Sequence, residues 1–133
     1  MPITSLEPAI ALLGRLLLAA IFIHEAWSKI VGYDRAVAYM QAFGLPGILL
    51  PAAIAVELGC GVLVALGLFT RAAALPLAGF CVVTALIFHT KLGSVNELLH
   101  FEKDFAIAGG FLMLFIAGPG RWSLDAKLRR VTA

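Results

Sequence analysis

Four apolar runs, each close to twenty residues long, constrain this chain more than any other feature. They extend over about Pro8–Ala26, Pro46–Phe69, Ala72–His89 and Leu98–Ala117. A helix needs ~20 residues, at ~1.5 Å each, to cross ~30 Å of hydrocarbon. The fourth run reaches that length only if its first turns carry Glu102, Lys103 and Asp104 into the membrane edge. Of the 133 residues, 62% are hydrophobic and 14% charged. Soluble domains have about 45–50% and about 25%, because much of their surface must face water. A lipid-facing surface removes that requirement. The expected fold is therefore all-α: one domain, residues 1–133, forming a four-helix transmembrane bundle.

Local signals support these divisions. Ser5 and Pro8 suit a helix start, Gly44 and Pro46 separate two helices, and Gly118-Pro119-Gly120 ends the last one. Thr70, directly after Phe69, is placed to cap the third helix, which makes the second and third helices a tight hairpin. Pro51 and Pro76 predict bends rather than breaks, as membrane helices tolerate them. Met1–Leu13 lacks Lys and Arg and no small-residue cleavage site follows, so the first run reads as an uncleaved span.

Two shorter segments read as interfacial amphipathic helices. In 33–43, Tyr33, Ala36, Val37, Met40 and Phe43 recur at helical spacing opposite Asp34, Arg35 and Gln41. In 123–131, Leu124, Leu128 and Val131 oppose Lys127, Arg129 and Arg130. Trp27 and Trp122 fall where interfacial aromatics belong. One side of the membrane collects Arg71, Arg121, Lys127, Arg129 and Arg130, and the other Lys29, Arg35, Lys91 and Lys103. The positive-inside rule then predicts both termini in the cytoplasm.

Several chemistries are disfavoured. Cys60 and Cys81 lie in separate apolar runs without a CxxC pair, so they read as packing residues rather than a thiol or zinc centre. No phosphate-loop or dinucleotide pattern is present, and Gly59 and Gly61 read as a close-contact surface. A net charge of +2, with its basic residues gathered at the C-terminal end, does not suggest nucleic acid. No metal site is expected, since the histidines lack ligand spacing and His24 faces away from its charged neighbours.

Ionisable groups within spanning runs are costly and usually face the bundle interior. Here they are Arg15, His24, Glu25, Glu57, His89 and Lys103. At ~100° per residue, Arg15, Glu25 and Lys29 share one face of the first helix and His24 lies opposite. Glu57 shares a face with Ala53, Cys60, Gly61 and Val64. His89 shares one with Ala78 and Ala85, and Lys103 one with Ala106, Gly110 and Ala117. Stripes of small residues mark close helix approach, so Glu57, His89 and Lys103 are expected to point inward. Depths of ~10 Å for Arg15 and ~16 Å for Glu57 suggest an ion pair, either a structural clamp or part of a site. Glu25, His89 and Lys103 would form a second group nearer the outer surface. His89 has the alternative of capping carbonyls or meeting water, and His100 is expected to be solvated.

The motifs Gly14-Arg15-Leu16-Leu17-Leu18, Val56-Glu57-Leu58-Gly59-Cys60-Gly61, Leu66-Gly67-Leu68-Phe69-Thr70-Arg71, Glu102–Gly110 and Gly118–Asp125 resemble the DoxX family of small bacterial membrane proteins. The resemblance covers essentially the whole chain, in order. It implies a four-helix inner-membrane bundle, and an association with thiosulfate oxidation linked to the quinone pool or with complexes handling oxidative and thiol stress. The family's recurring charged positions map onto Arg15, Glu57 and Lys103.

The leading expectation is a membrane subunit of a quinone-linked redox system. Arg15, Lys103 and Glu57 would bind the ligand, and Glu57, Glu25 and His89 would relay protons. Quinone is the cofactor implied. No residue set carries electrons, so a protein partner would supply them. One alternative is a non-enzymatic scaffold or adaptor that docks protein partners or its own copies. A small-solute pathway lined by Glu57 and His89 is the third reading.

Overall fold

The computed structural model describes residues 3–132, and every regular element among them is helical. Helix α1, Ile3–Val31, has 29 residues. At ~1.5 Å per residue it is ~43 Å long, more than the hydrocarbon thickness. It runs five residues past the apolar run, which ends at Ala26. Gly32 breaks it, and α2, Tyr33–Ala42, turns back with Ala36, Val37 and Met40 inward. Tyr39 and Phe43 then pack on Phe88, with ring centroids 5.3 and 5.0 Å apart.

The second span, Gly47–Leu66, is continuous but not uniform. It opens with a 3-10 turn at Gly47–Leu49 and α3 at Leu50–Ile54. A π turn at Ala55–Cys60 follows, and α4 at Gly61–Leu66 completes it. Pro51 falls in the first turn of α3, where its missing N–H is not needed. The bend predicted there is thus replaced by a different irregularity, the π turn that begins four residues further on at Ala55. Helix α5, Thr70–Phe88, continues through Pro76. Helix α6 is Val95–Ala117 and α7 is Leu124–Thr132.

Among the described residues, three spans are long and apolar enough to cross a membrane: Thr4–Val31, Gly47–Leu66 and Thr70–Phe88. Helix α6 has the length, at 23 residues, but its N-terminal half carries Glu97, Glu102, Lys103 and Asp104. It packs more extensively on α5 than any other pair of helices does on each other. Ala73, Ala74, Leu77, Ala78 and Cys81 of α5 meet Ala108 and Phe111 of α6, Phe22 of α1 and Val64 of α4 in one core. Phe22 sits edge-on to Phe111 at 5.4 Å and to Phe80 at 6.4 Å, tying α1 to the α5–α6 pair. Gly61 lets α1 approach closely, because a Cβ there would stand 3.2 Å from Ile23 Cγ1.

Candidate functional site

The π turn places Glu57. A π turn inserts one residue into the helical ladder and re-aims the side chains around it, and such turns recur at functional sites. Glu57 is 2% exposed, close to the middle of its span. Lys29 Nζ donates to Glu57 Oε1 at 2.9 Å and lies 3.6 Å from Glu25 Oε2. Glu25, one turn back on α1, is half exposed. The three groups form a ladder from a buried carboxylate, through an ammonium, to the surface. Glu57 Oε2 is buried and has no hydrogen-bond partner among the described residues. A buried acceptor left unpaired costs about 1–3 kcal/mol, so this oxygen is a place for a donor.

A second cluster lies where α5 ends. His89 Nδ1 is 3.1 Å from Glu97 Oε2, and its Nε2 is 3.9 Å from Asp104 Oδ2. The ring of His100 stacks on His89 with centroids 5.0 Å apart. Thr84 Oγ1 donates to the carbonyls of Phe80 and Cys81 and reaches Asp104 Oδ2 at 3.5 Å. Cys81, buried and unbridged, lies within electrostatic reach of both Asp104 and Glu57.

At the opposite end Arg15 is buried and fully engaged. It donates to the Ala65 carbonyl at 3.3 Å, to the Trp122 carbonyl at 2.9 Å and to the Pro119 carbonyl. These carbonyls belong to the last turn of α4 and to the segment after α6, so Arg15 holds the tail beneath the bundle. Gly67, at φ +69, makes room for it: a Cβ there would lie 2.5 Å from Ser123 Cβ and 2.9 Å from Arg15 Cζ. Asp125 completes the attachment. Its carboxylate accepts from the backbone N–H groups of Phe69 at 2.8 Å and Thr70 at 3.0 Å, and its own N–H donates to Gly67 O. Partial burial alone would raise the Asp125 pKa. The hydrogen bonds from Thr70 and Phe69, with the nearby Arg129 charge, outweigh it and hold the carboxyl below the usual aspartate value.

Several expectations are corrected by this geometry. Arg15 and Glu57 do not pair: Arg15 reaches Ala65, eight residues and ~12 Å along the helix from Glu57. The partner of Glu57 is Lys29, which the apolar run had placed outside the span. Glu25, His89 and Lys103 do not gather either. Glu25 joins Lys29, His89 joins Glu97 and Asp104, and Lys103 is exposed on the outer surface of α6. The small-residue stripe misplaced Lys103 because α6 packs through Phe111 and Ala108, the face that carries Asp104, while Ala106 and Ala117 point outward. Thr70 does not cap α5 with its side chain. Phe69 adopts φ 48 and the cap comes from Asp125. Glu57 and His89 do face inward, and His24 does face away.

Asp104, Glu97 and Asp125 were missed as partners. Asp104 was legible as the inward group had the wheel been centred on Phe111. Asp125 entered only as the last residue of the Gly118–Asp125 motif, with no role assigned to its carboxylate.

The motifs that carry the resemblance are the ones that build this geometry: Arg15, Gly67, Glu57 and the segment from Gly118 to Asp125. The DoxX family's sequence pattern matches residues 10–90. The chain belongs to the DoxX family. Among DoxX relatives, the inner membrane protein YqjF of Escherichia coli is 42% identical over 125 residues, 94% of this chain and 96% of that protein. The inner membrane protein YphA of the same organism is 36% identical, covering 91% of each. An uncharacterised membrane protein of Mycobacterium tuberculosis is 34% identical over 90% of this chain and 82% of its own. No solved structure matches. The family pattern spans Arg15, Glu57 and His89 and stops before Asp104 and the tail that Arg15 holds.

Proposed function

We propose that this chain is an inner-membrane subunit of a quinone-linked redox system and that Glu57 is its proton-exchanging group. The observation that carries the reading is the buried Glu57 on a π turn, with one oxygen held by Lys29 and the other lacking a donor among the described residues. The names of the two Escherichia coli relatives support inner-membrane placement. In this reading α6 is the fourth span, with its charged first half at the membrane edge. Both termini lie on the cytoplasmic side, following the basic residues of the tail.

Lys29 and Glu57 fit a ligand that alternates between carbonyl and hydroxyl. Lys29 is a donor for a carbonyl oxygen, and Glu57 Oε2 is an acceptor for a hydroxyl. A bound quinone would supply the two-electron, two-proton chemistry, with electrons arriving from a partner protein. The chain's own part is proton traffic. Glu57 gives or takes a proton at Oε2, Lys29 keeps the local charge balanced, and Glu25 exchanges with water at the surface. His89, Glu97 and Asp104 offer a second exchange point at the same end. Arg15 has three carbonyls to satisfy, so its role is to hold the tail and not a ligand.

The scaffold reading draws on a specific observation too. The tail is clamped in a fixed pose by Arg15 and Asp125, which suits a docking element. Mass spectrometry of the protein purified from native membranes into lipid nanodiscs separates the two. The redox reading expects stoichiometric quinone, lost in Glu57→Gln while helicity is unchanged. Quinone-free wild-type protein would reject that reading and leave the scaffold.

A further inference from the structure

His24 is on the side of α1 directly opposite its packed face, and it is exposed. Its depth follows from the neighbouring helix. Gly61 packs against Phe22 and Ile23, so His24 lies level with Cys60–Gly61. That point is fourteen residues, ~21 Å, from one end of the Gly47–Leu66 span and five residues, ~7 Å, from the other. An imidazole therefore faces outward at hydrocarbon depth. It makes no hydrogen bond, ion pair or ring contact among the described residues. Lipid tails offer it no partner, and ionisable groups on spanning helices are normally satisfied by protein or water.

The surface around it has a regular pattern. Ile10, Leu13, Leu17, His24, Trp27 and Val31 are exposed and follow steps of three and four, with Ala20 completing the series. This is the repeat of a helix seam, in which a single polar residue at a seam position sets register and partner. Insertion fixes the direction of every copy in the bilayer, so two copies of α1 related by a two-fold axis along the membrane normal are parallel. Each seam residue then meets its own counterpart. An imidazole suits this arrangement as a lone carboxylate, ammonium or guanidinium does not. A neutral ring carries one N–H donor and one acceptor nitrogen, so it is complementary to a copy of itself.

We infer that α1 is a homodimer interface in which His24 of one copy hydrogen-bonds His24 of the other. The occupant of the seam is a second copy of this chain. This inference is independent of the quinone reading, since the seam and Glu57 lie on different sides of α1.

The test uses the full chain in lipid vesicles. Energy transfer between donor- and acceptor-labelled chains is followed as lipid dilutes protein, with helicity as the folding control. The expected dimer is weakened about three- to tenfold by His24→Leu and retained by His24→Asn. In a chain carrying Cys60→Ala and Cys81→Ala, Val31→Cys on the seam is expected to form disulfide-linked dimers. Ile30→Cys, next to it but ~100° around the helix, is not. A chain that stays monomeric at high density, whether lipid or another protein covers the seam, overturns the inference. So does cross-linking through Ile30→Cys and not Val31→Cys, or a His24→Leu chain that dimerises like wild type.

Discussion

Lys29 Nζ lies 2.9 Å from Glu57 Oε1, and this one contact binds the end of α1 to the π turn in the middle of the second span. It joins a charge at the helix end to a carboxylate that is otherwise out of reach of water. A buried pair of this kind is strongly coupled: removing one partner leaves the other charged and unpaired. Lys29→Met is therefore expected to destabilise the protein by about 3–5 kcal/mol. Lys29→Met combined with Glu57→Gln should recover much of that loss. Unfolding titrations of the single and double variants in detergent measure it, and strictly additive losses would show that the pair is not coupled.

Arg15 is the clamp of the tail, so its loss should release the segment after α6. Arg15→Met removes the donors to Ala65, Pro119 and Trp122, with an expected cost on the order of 2–4 kcal/mol. Limited proteolysis should then cut after Gly118, at sites protected in the wild type. An uncut tail in the variant would contradict the clamp.

Asp125→Ala removes the cap on α5, at an expected cost of about 1 kcal/mol. The folded carboxyl is more acidic than the unfolded one. Its contribution is thus fully present above the unfolded value and disappears as pH falls through the lower folded value. The stability gap between wild type and Asp125→Ala should therefore narrow on acidification, read by unfolding titrations at a series of pH values. A gap that widens would assign the effect to another group.

On α6 the outward and inward positions are one residue apart. Lys103→Ala should change stability by no more than about 0.5 kcal/mol. Asp104→Asn, which weakens the contacts to His89 and Thr84, should cost about 1 kcal/mol. Thermal unfolding of both variants checks this, and a larger loss at Lys103 would reverse the assignment.

The all-helical fold and the inward faces of Glu57 and His89 were legible because hydrophobic runs and helical period report burial directly. The amphipathic segments were legible for the same reason and are α2 and α7. What hydrophobicity could not report was where α1 stops. A helix continues until its backbone is broken, here at Gly32, so α1 runs to Val31, five residues beyond the end of the apolar run at Ala26. That extension brings Lys29 to Glu57. Nor does composition reveal the π turn at Ala55–Cys60 that carries Glu57. The small-residue rule held on α5, rich in buried alanines, and failed on α6, where Phe111 fills the interface. Arg15 was correctly read as internal, but its partners are backbone carbonyls, and a wheel of side chains cannot show those.

Proton exchange at the buried Glu57, with the fold intact, is what the proposed function requires. Infrared difference spectroscopy of the carboxyl stretch, in nanodiscs and with Glu57→Gln as the reference, tests it directly. The expected result is a pH-dependent band that is present in the wild type and absent from the variant, at unchanged helicity. A Glu57 carboxyl that keeps one protonation state across the whole pH range in which the bundle stays folded would contradict it.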